Sequence, residues 1–350
     1  MNMVLFAFAC SPRRPAATES GDSTGSGTPP ASESDADTDT DVDSDTDTDT
    51  DTDTDTDTGK SKPVEFDCSV PLPPFPYKSR KLDGTITSED IDVDPNGYVI
   101  GSDRKNVYRT SDSGYQEMLA PNIDNAQAIV ALPTGDVVVF QEAPRELIRI
   151  AADGEITTLA DVEYYVPYGD ANAAGLIYAS TTEKLLRIDP VAGTIETIFD
   201  SWDDYGPPWG IAFNEDYTAL YVSIVFVPNG DGTSRIDVYR LQLDAKGDVD
   251  GEPRLFATLP RRDWGEGLAV DVCGNVYLSM TSAIFRISKD GKTIDEIWTS
   301  DKPLAGRAVA GLTFGRAGKG GTDPMKLYAS NPYNKEAIEI DVGALGRSAW

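Results

Sequence analysis

The sequence predicts an all-β protein, a six-bladed β-propeller preceded by a disordered acidic stalk. Three observations predict it. One short strand pattern returns six times at the spacing of propeller blades, helical periodicity is nearly absent beyond residue 60, and the first sixty residues hold almost nothing that could build a core.

Charge and residue content narrow the function classes first. The chain has 350 residues, a formal net charge of −29 and no histidine. Residues 1–60 carry 15 acidic and 3 basic side chains, and the remainder carries 44 and 27. Both parts therefore repel a nucleic-acid backbone, and neither supplies a basic patch for anionic lipid. The absence of histidine excludes Ser-His-Asp and Cys-His nucleophiles and every His-ligated zinc or iron site. Three cysteines are too few for a Cys-rich metal site. Chemistry here has to rest on carboxylates, amides, tyrosines or an oxygen-ligated metal. No run of 18 apolar residues is present, so no ordinary transmembrane helix is expected.

Residues 1–10 read as a signal segment. Met1–Ala9 is an apolar stub ending in a small residue, and Cys10 follows directly. This resembles the bacterial lipoprotein signal, in which the cysteine is lipidated and becomes the N-terminus. The segment departs from that pattern in having Ala7 three residues before the cysteine and no Lys or Arg ahead of the apolar run. The alternative is a disordered N-terminus with a chance cysteine. Residues 11–60 are Ser, Thr, Pro, Gly and an Asp-Thr run from Asp35 to Thr58. With almost no apolar residues to offset the entropy of ordering, such a segment is predicted to be a disordered linker, extended by repulsion between its aspartates. Calcium loops also alternate aspartates, but they need a turn glycine and a closing glutamate, which Asp35–Thr58 lacks.

Residues 61–350 are predicted to form the propeller. Val107-Tyr108-Arg109, Ile148-Arg149-Ile150, Leu186-Arg187-Ile188, Val238-Tyr239-Arg240-Leu241 and Ile284-Phe285-Arg286-Ile287 are one strand written five times, and Ile338-Glu339-Ile340 is a sixth copy with Glu in the Arg place. Successive copies lie 40, 38, 53, 46 and 53 residues apart. A turn glycine follows each of the first five, as in Asp153-Gly154 and Asp290-Gly291. Upstream of each copy except the third lies another hairpin: 91–100, 128–139, 210–222, 268–278 and 312–329. The recurring arginines alternate with apolar residues, which places them between blades or at the rim.

The hairpins carry a family resemblance. Trp209-Gly210-Ile211-Ala212-Phe213-Asn214 with Leu220-Tyr221-Val222, and Glu266-Gly267-Leu268-Ala269-Val270-Asp271 with Gly274-Asn275-Val276-Tyr277, resemble motifs of the senescence-marker-protein/gluconolactonase/luciferin-regenerating-enzyme family. Glu89-Asp90-Ile91-Asp92 resembles its first inner strand. The resemblance runs from about Ser88 to Val342, and NHL-type propellers share the motifs.

The resemblance implies calcium or another divalent cation at the channel mouth, held by a Glu, an Asn and an Asp just ahead of the inner strands. There it polarises a lactone carbonyl while the Asp helps to activate water. Registered on the turn glycines, Glu89 takes the Glu place and Glu266 the Asp place. Both are candidate metal ligands, and Glu266 is the candidate catalytic residue. Trp209 takes the Asn place, and indole has no lone pair for a cation. A further Asn of the third blade falls at or near Tyr168, in a blade one residue short. Asp90, Asp170, Asn172, Asp203, Asp204 and Asp263, in neighbouring loops, are the candidates to replace the lost ligand.

The loops leading into the inner strands are also rich in aromatics: Tyr164, Tyr165 and Tyr168, then Trp202, Tyr205 and Trp209, then Trp264. Aromatic faces beside carboxylates suit sugar rings or organic cations, and Tyr168, Trp209, Trp264 and Asp170 are the candidate ligand-binding residues. Packing between blades is the other use for such rings. If Cys10 is lipidated, Cys68 and Cys273 remain, and an even remainder in an exported protein favours a disulfide over two free thiols.

The expected protein is an exported bacterial lipoprotein of the periplasm or outer cell surface, monomeric and held to the membrane only by its lipid. Its propeller is expected to bind a small polar ligand, sugar or lactone-like, or an envelope protein, and no nucleic acid. The alternatives are a divalent-metal-dependent lactone hydrolase and a structural envelope protein.

Overall fold

The computed structural model describes residues 65–228, 234–259, 264–300 and 309–347; the expectations for residues 1–60, including Cys10, and for Asp263 fall outside them. The described residues contain strands and turns and no α-helix, and no helix is long and apolar enough to cross a membrane. Six four-stranded antiparallel sheets follow one another along the chain.

Blade one is β2 (Asp92–Val93), β3 (Val99–Ser102), β4 (Val107–Thr110) and β5 (Gln116–Ala120). Blade two is β6 (Ala126–Ala131), β7 (Val137–Gln141), β8 (Glu146–Ile150) and β9 (Ile156–Asp161). Blade three is β10 (Tyr168–Ala171), β11 (Ile177–Ser180), β12 (Leu185–Asp189) and β13 (Thr194–Phe199). Blade four is β14 (Pro208–Phe213), β15 (Ala219–Pro228), β16 (Ser234–Gln242) and β17 (Arg254–Leu259). Blade five is β18 (Gly265–Val270), β19 (Val276–Met280), β20 (Ala283–Ile287) and β21 (Ile294–Thr299). Blade six takes β22 (Leu312–Phe314), β23 (Leu327–Asn331) and β24 (Glu336–Ile340), and borrows its outer strand, β1 (Ser79–Leu82), from ahead of blade one.

The repeated strand of the sequence is the third strand of every blade. Its alternation buries the residue after the Arg place, Thr110, Ile150, Ile188, Leu241, Ile287 and Ile340, and sets the Arg place on the other face, beside side chains of the outer strand. There Arg109 stands opposite Glu117, Arg187 opposite Glu196 and Arg286 opposite Asp295. In blade six the signs are exchanged: Glu339 stands opposite Arg80 of β1 and accepts from its Nε at 2.9 Å and Nη2 at 2.7 Å. Opposite charges directly across an antiparallel pair are favourable, so the pair supports β1 as the outer strand of blade six.

The core is distributed between the blades. Tyr277 and Ile284 of blade five pack with Phe314 and Leu327 of blade six, and Leu82 and Tyr328 pack with Ile91 and Val93 where blade six meets blade one. Near the axis the inner strands approach until only glycine fits. A Cβ on Gly210 would stand 2.0 Å from the Glu266 carbonyl oxygen, and one on Gly267 would stand 2.7 Å from the Leu312 nitrogen.

Cys68 and Cys273 form a disulfide, as the cysteine count suggests. Cys273 lies in the turn between β18 and β19, on the face opposite the loops that lead into the inner strands. The bond and the Tyr77 N–H donated to the Ile297 carbonyl (2.9 Å) strap the segment before β1 along blade five.

Candidate functional site

Inner strands β6, β14 and β18 share a device at the channel mouth. Each carries a bulge between its first residue and its regular ladder, at Ala126/Ile129, Pro208/Ile211 and Gly265/Leu268. A bulge re-aims a side chain, and the residues set there are Gln127, Trp209 and Glu266. Strand β10 has no bulge, and Tyr168 pairs directly with Ser180. That is the missing residue of blade three. It puts Tyr168 in the place that Gly210 and Gly267 hold in their own blades.

Four of the expected ligand-side residues meet here. The Tyr168 hydroxyl donates to Glu266 Oε2 at 3.1 Å, crossing from blade three to blade five, and Trp209 Nε1 donates to the same oxygen at 3.0 Å. Glu266 is 0% exposed. Above it the rings continue outward, with Trp264 packed edge-on to Trp209 (5.8 Å between centroids) and Tyr165 on Trp209 at 5.8 Å. Tyr165 donates its hydroxyl to Gln127 Oε1 at 2.6 Å. Trp264, 37% exposed, is the solvent-facing end of this wall.

Two expected residues stand apart from that cluster. Glu89 lies ahead of blade one, two blades round the ring from Glu266, and accepts from Arg104 Nη2 at 2.7 Å. Asp170 lies deeper in the channel, where Oδ2 accepts the Phe213 N–H at 2.8 Å and pairs with Arg347. Of the possible replacement ligands, Asp90 accepts the Ile129 N–H at 2.9 Å and Asn172 caps its own turn through the Ala174 and Leu176 N–H groups.

Below the mouth the channel narrows to a cavity of about 50 Å³, lined by Asp90, Asp92, Asp170, Arg316 and Arg347 among others. That is room for a very few waters, so the axis is a packed polar core rather than a ligand tunnel. Burial pushes the Asp90 carboxyl well above the ordinary carboxylate range and raises Asp92. Burial lowers Arg316, against the pull of Asp92 and Asp170. The aspartates also serve the fold: Asp90 and Asp92 take the Ile129 and Ala131 N–H groups of the next inner strand, which has no neighbouring strand on its axial edge.

The divalent ion that the family resemblance implies would need oxygen lone pairs at positions 89, 209 and 266. Trp209 offers none, its N–H and the Tyr168 hydroxyl both point at Glu266, and Glu89 faces a guanidinium. Among the described residues no group of three or more Cys, Asp or Glu side chains could hold a metal ion. The side chains present do not fit the ion.

Arg104, Arg316 and Arg347 were not legible as site residues. The Ser102-Asp103-x-x-Asn106 turn signal marks where Arg104 sits, but nothing local shows that its side chain reaches back to Glu89.

The fold and mouth define a six-bladed propeller with a polar, aromatic-walled channel mouth. No protein-family model matches the chain, and no curated protein matches it in sequence. Solved structures do match. A candidate gluconolactonase aligns at 21% identity and a TM-score of 0.61, over 79% of this chain and 96% of its own. A gluconolactonase from Xanthomonas campestris aligns at 16% and 0.59, over 76% and 90%. Regucalcin from Agrobacterium tumefaciens, a calcium-binding protein, aligns at 18% and 0.59, over 78% and 96%. At these identities the likeness shows the shared propeller fold.

Proposed function

We propose that this chain is an exported lipoprotein whose propeller binds a small polar ligand at the channel mouth. The observation that carries the binding reading is the Trp264–Trp209–Tyr165 wall standing over a fully buried carboxylate that two aromatic donors hold. Aromatic faces stack on the apolar face of a sugar ring, and Glu89 and the exposed Arg104 supply rim groups for its hydroxyls. Export is supported by the Cys68–Cys273 disulfide, a bond suited to an oxidising compartment. With Cys68 and Cys273 paired, Cys10 is the one cysteine left for lipid.

Lactone hydrolysis is the second reading, favoured by the fold shared with a gluconolactonase. It ranks lower because the donors that occupy Glu266 leave no place for the ion. Tryptophan fluorescence titrated with D-glucose, D-gluconate and D-glucono-δ-lactone separates the two. The binding reading expects saturable quenching by at least one of them, lost in Trp264→Ala, with lactone turnover no faster than buffer in the presence or absence of calcium. Calcium-dependent turnover supports the hydrolase instead, and no saturation by any of the three counts against the sugar-like ligand.

A further inference from the structure

We infer that Arg104 and Trp209 together stand in for a metal ion at this mouth: the guanidinium balances Glu89, the indole N–H engages Glu266, and the site is built to work without a divalent cation. The inference does not depend on which ligand the mouth takes.

The indole half rests on packing. Tyr168 and Trp209 converge on one oxygen of Glu266, at 3.1 Å and 3.0 Å. A cation reaching that oxygen has to displace the indole, and the indole is held. Tyr165 and Trp264 each pack on it at 5.8 Å. Its backbone is pinned as well, since the Trp209 carbonyl accepts the Ser180 hydroxyl and the Gly210 N–H donates to Ser223 Oγ at 2.9 Å. Indole is a donor only, so its place at the mouth removes a ligand and adds an obstacle.

The guanidinium half rests on an outlier. Arg104 has φ of 78°, a left-handed conformation that costs a residue with a Cβ and that glycine or asparagine adopts more readily. Neighbours hold it there: Ser102 Oγ accepts its N–H at 2.9 Å, and its carbonyl accepts the Asn125 N–H at 2.6 Å. From this turn the side chain reaches Glu89 Oε1 at 2.7 Å. Strained backbone at a ligand site is kept where the side chain it aims is used. Here that use is a fixed positive charge beside the mouth carboxylate, which repels a second cation.

Terbium luminescence sensitised through indole tests this on the full chain, with Tb³⁺ alone as the calcium-like probe. Trp264 stays at the mouth in every variant, so an ion bound there is excited, while the acidic residues 1–60 contain no tryptophan. The wild type is expected to show no saturable sensitised emission. The double variant Arg104→Gln/Trp209→Asn is expected to gain a saturable site, with affinity rising on the order of 10- to 100-fold. Saturable sensitised emission from the wild type, reversed by calcium, overturns the inference. So does a double variant that keeps its far-ultraviolet circular dichroism and gains nothing. If Trp209→Asn does not fold, Arg104→Gln/Trp209→Gln takes its place: the longer amide fills more of the indole's volume while offering an oxygen, and this folded variant must gain the saturable site or the inference fails.

Discussion

Arg347 forms a salt bridge with Asp170, a residue 177 positions earlier, and lays its guanidinium over the Tyr217 ring at 4.6 Å from the centroid. The contact ties the segment after blade six to the inner strand of blade three across the base of the channel. Both side chains are mostly buried, so removing one leaves the other charge without its partner. Arg347→Ala is expected to cost about 3 kcal/mol in urea unfolding, the lower end for a buried pair. Arg347→Met combined with Asp170→Asn is expected to recover most of that loss. Equal losses in the single and double variants would show that packing, and not the charge pair, holds this segment.

The stability of the channel depends on protons. Burial is the largest influence on Asp90 and raises its carboxyl well above the usual range, opposed by the backbone N–H groups of Ile129 and Ile91. The folded protein therefore keeps a proton that the unfolded chain has released. This contribution is complete below the unfolded pKa, near 4, and is lost as pH rises through the folded value. Asp90→Asn holds the neutral form at every pH and still offers an oxygen to the Ile129 N–H. It is expected to match the wild type near pH 4 and to gain on it at higher pH, by at most about 1.4 kcal/mol per unit. Melting curves of both proteins from pH 4 to 8 check this, and a constant difference across the range contradicts it.

These two cases mark what the sequence could show. The blades were legible because each writes the same alternation at its third strand, and alternation is a local property. Glu339 in the Arg place was legible as an anomaly, yet its cause, Arg80 on a strand borrowed from before blade one, lies 259 residues away. The disulfide was legible by counting. The mouth was legible in part: Trp209, Glu266 and Tyr168 follow from register on the turn glycines. Their convergence on one oxygen depends on bulges in β14 and β18 and on the absence of one in β10, which no spacing rule reveals. Arg104, Arg316 and Arg347 act through contacts between distant turns, where neighbouring residues carry no signal.

The glycine of the inner-strand motif is there for approach, not for flexibility. On Gly210 a Cβ meets the Glu266 carbonyl oxygen at 2.0 Å and Ser223 Oγ at 2.8 Å, and a backbone oxygen cannot swing aside. Gly210→Ala is expected to force blades four and five apart at the mouth and to cost about 3 kcal/mol or more. Gly251→Ala is the control. No atom lies within 4 Å of its Cβ position, but its φ of 83° adds backbone strain, so only a modest loss of about 1 kcal/mol is expected. Chemical denaturation of the pair separates the two costs.

Cys68 and Cys273 close a loop of 205 residues. Cross-linking so long a segment restricts the unfolded chain, and the entropy model sets an upper bound of about 5 kcal/mol. Cys68→Ser with Cys273→Ser is expected to lose stability within that bound while retaining the β-sheet circular dichroism of the wild type, since the bond straps a segment outside the six-sheet ring. Reduction of the wild type is expected to reproduce the double variant. A reduced protein as stable as the oxidised one would show that the strap contributes nothing.

The last prediction concerns how Glu266 is held. Two neutral donors, Tyr168 and Trp209, converge on Oε2 of a carboxylate sealed from water. A bond donated to a carboxylate is charge-assisted and worth about 1.5–3 kcal/mol. Trp209→Phe keeps the aromatic wall and deletes the donor, so about 2 kcal/mol should be lost. In a Glu266→Gln background the bond is between neutral groups, worth about 1 kcal/mol, and the same substitution should cost correspondingly less. The double-mutant cycle therefore closes with a coupling of about 1 kcal/mol, and Tyr168→Phe in place of Trp209→Phe returns a similar figure. A cycle without coupling means that Trp209 stabilises the mouth through its ring alone. In that case Glu266 is not what orients the wall, and ligand affinity should survive Glu266→Gln unchanged.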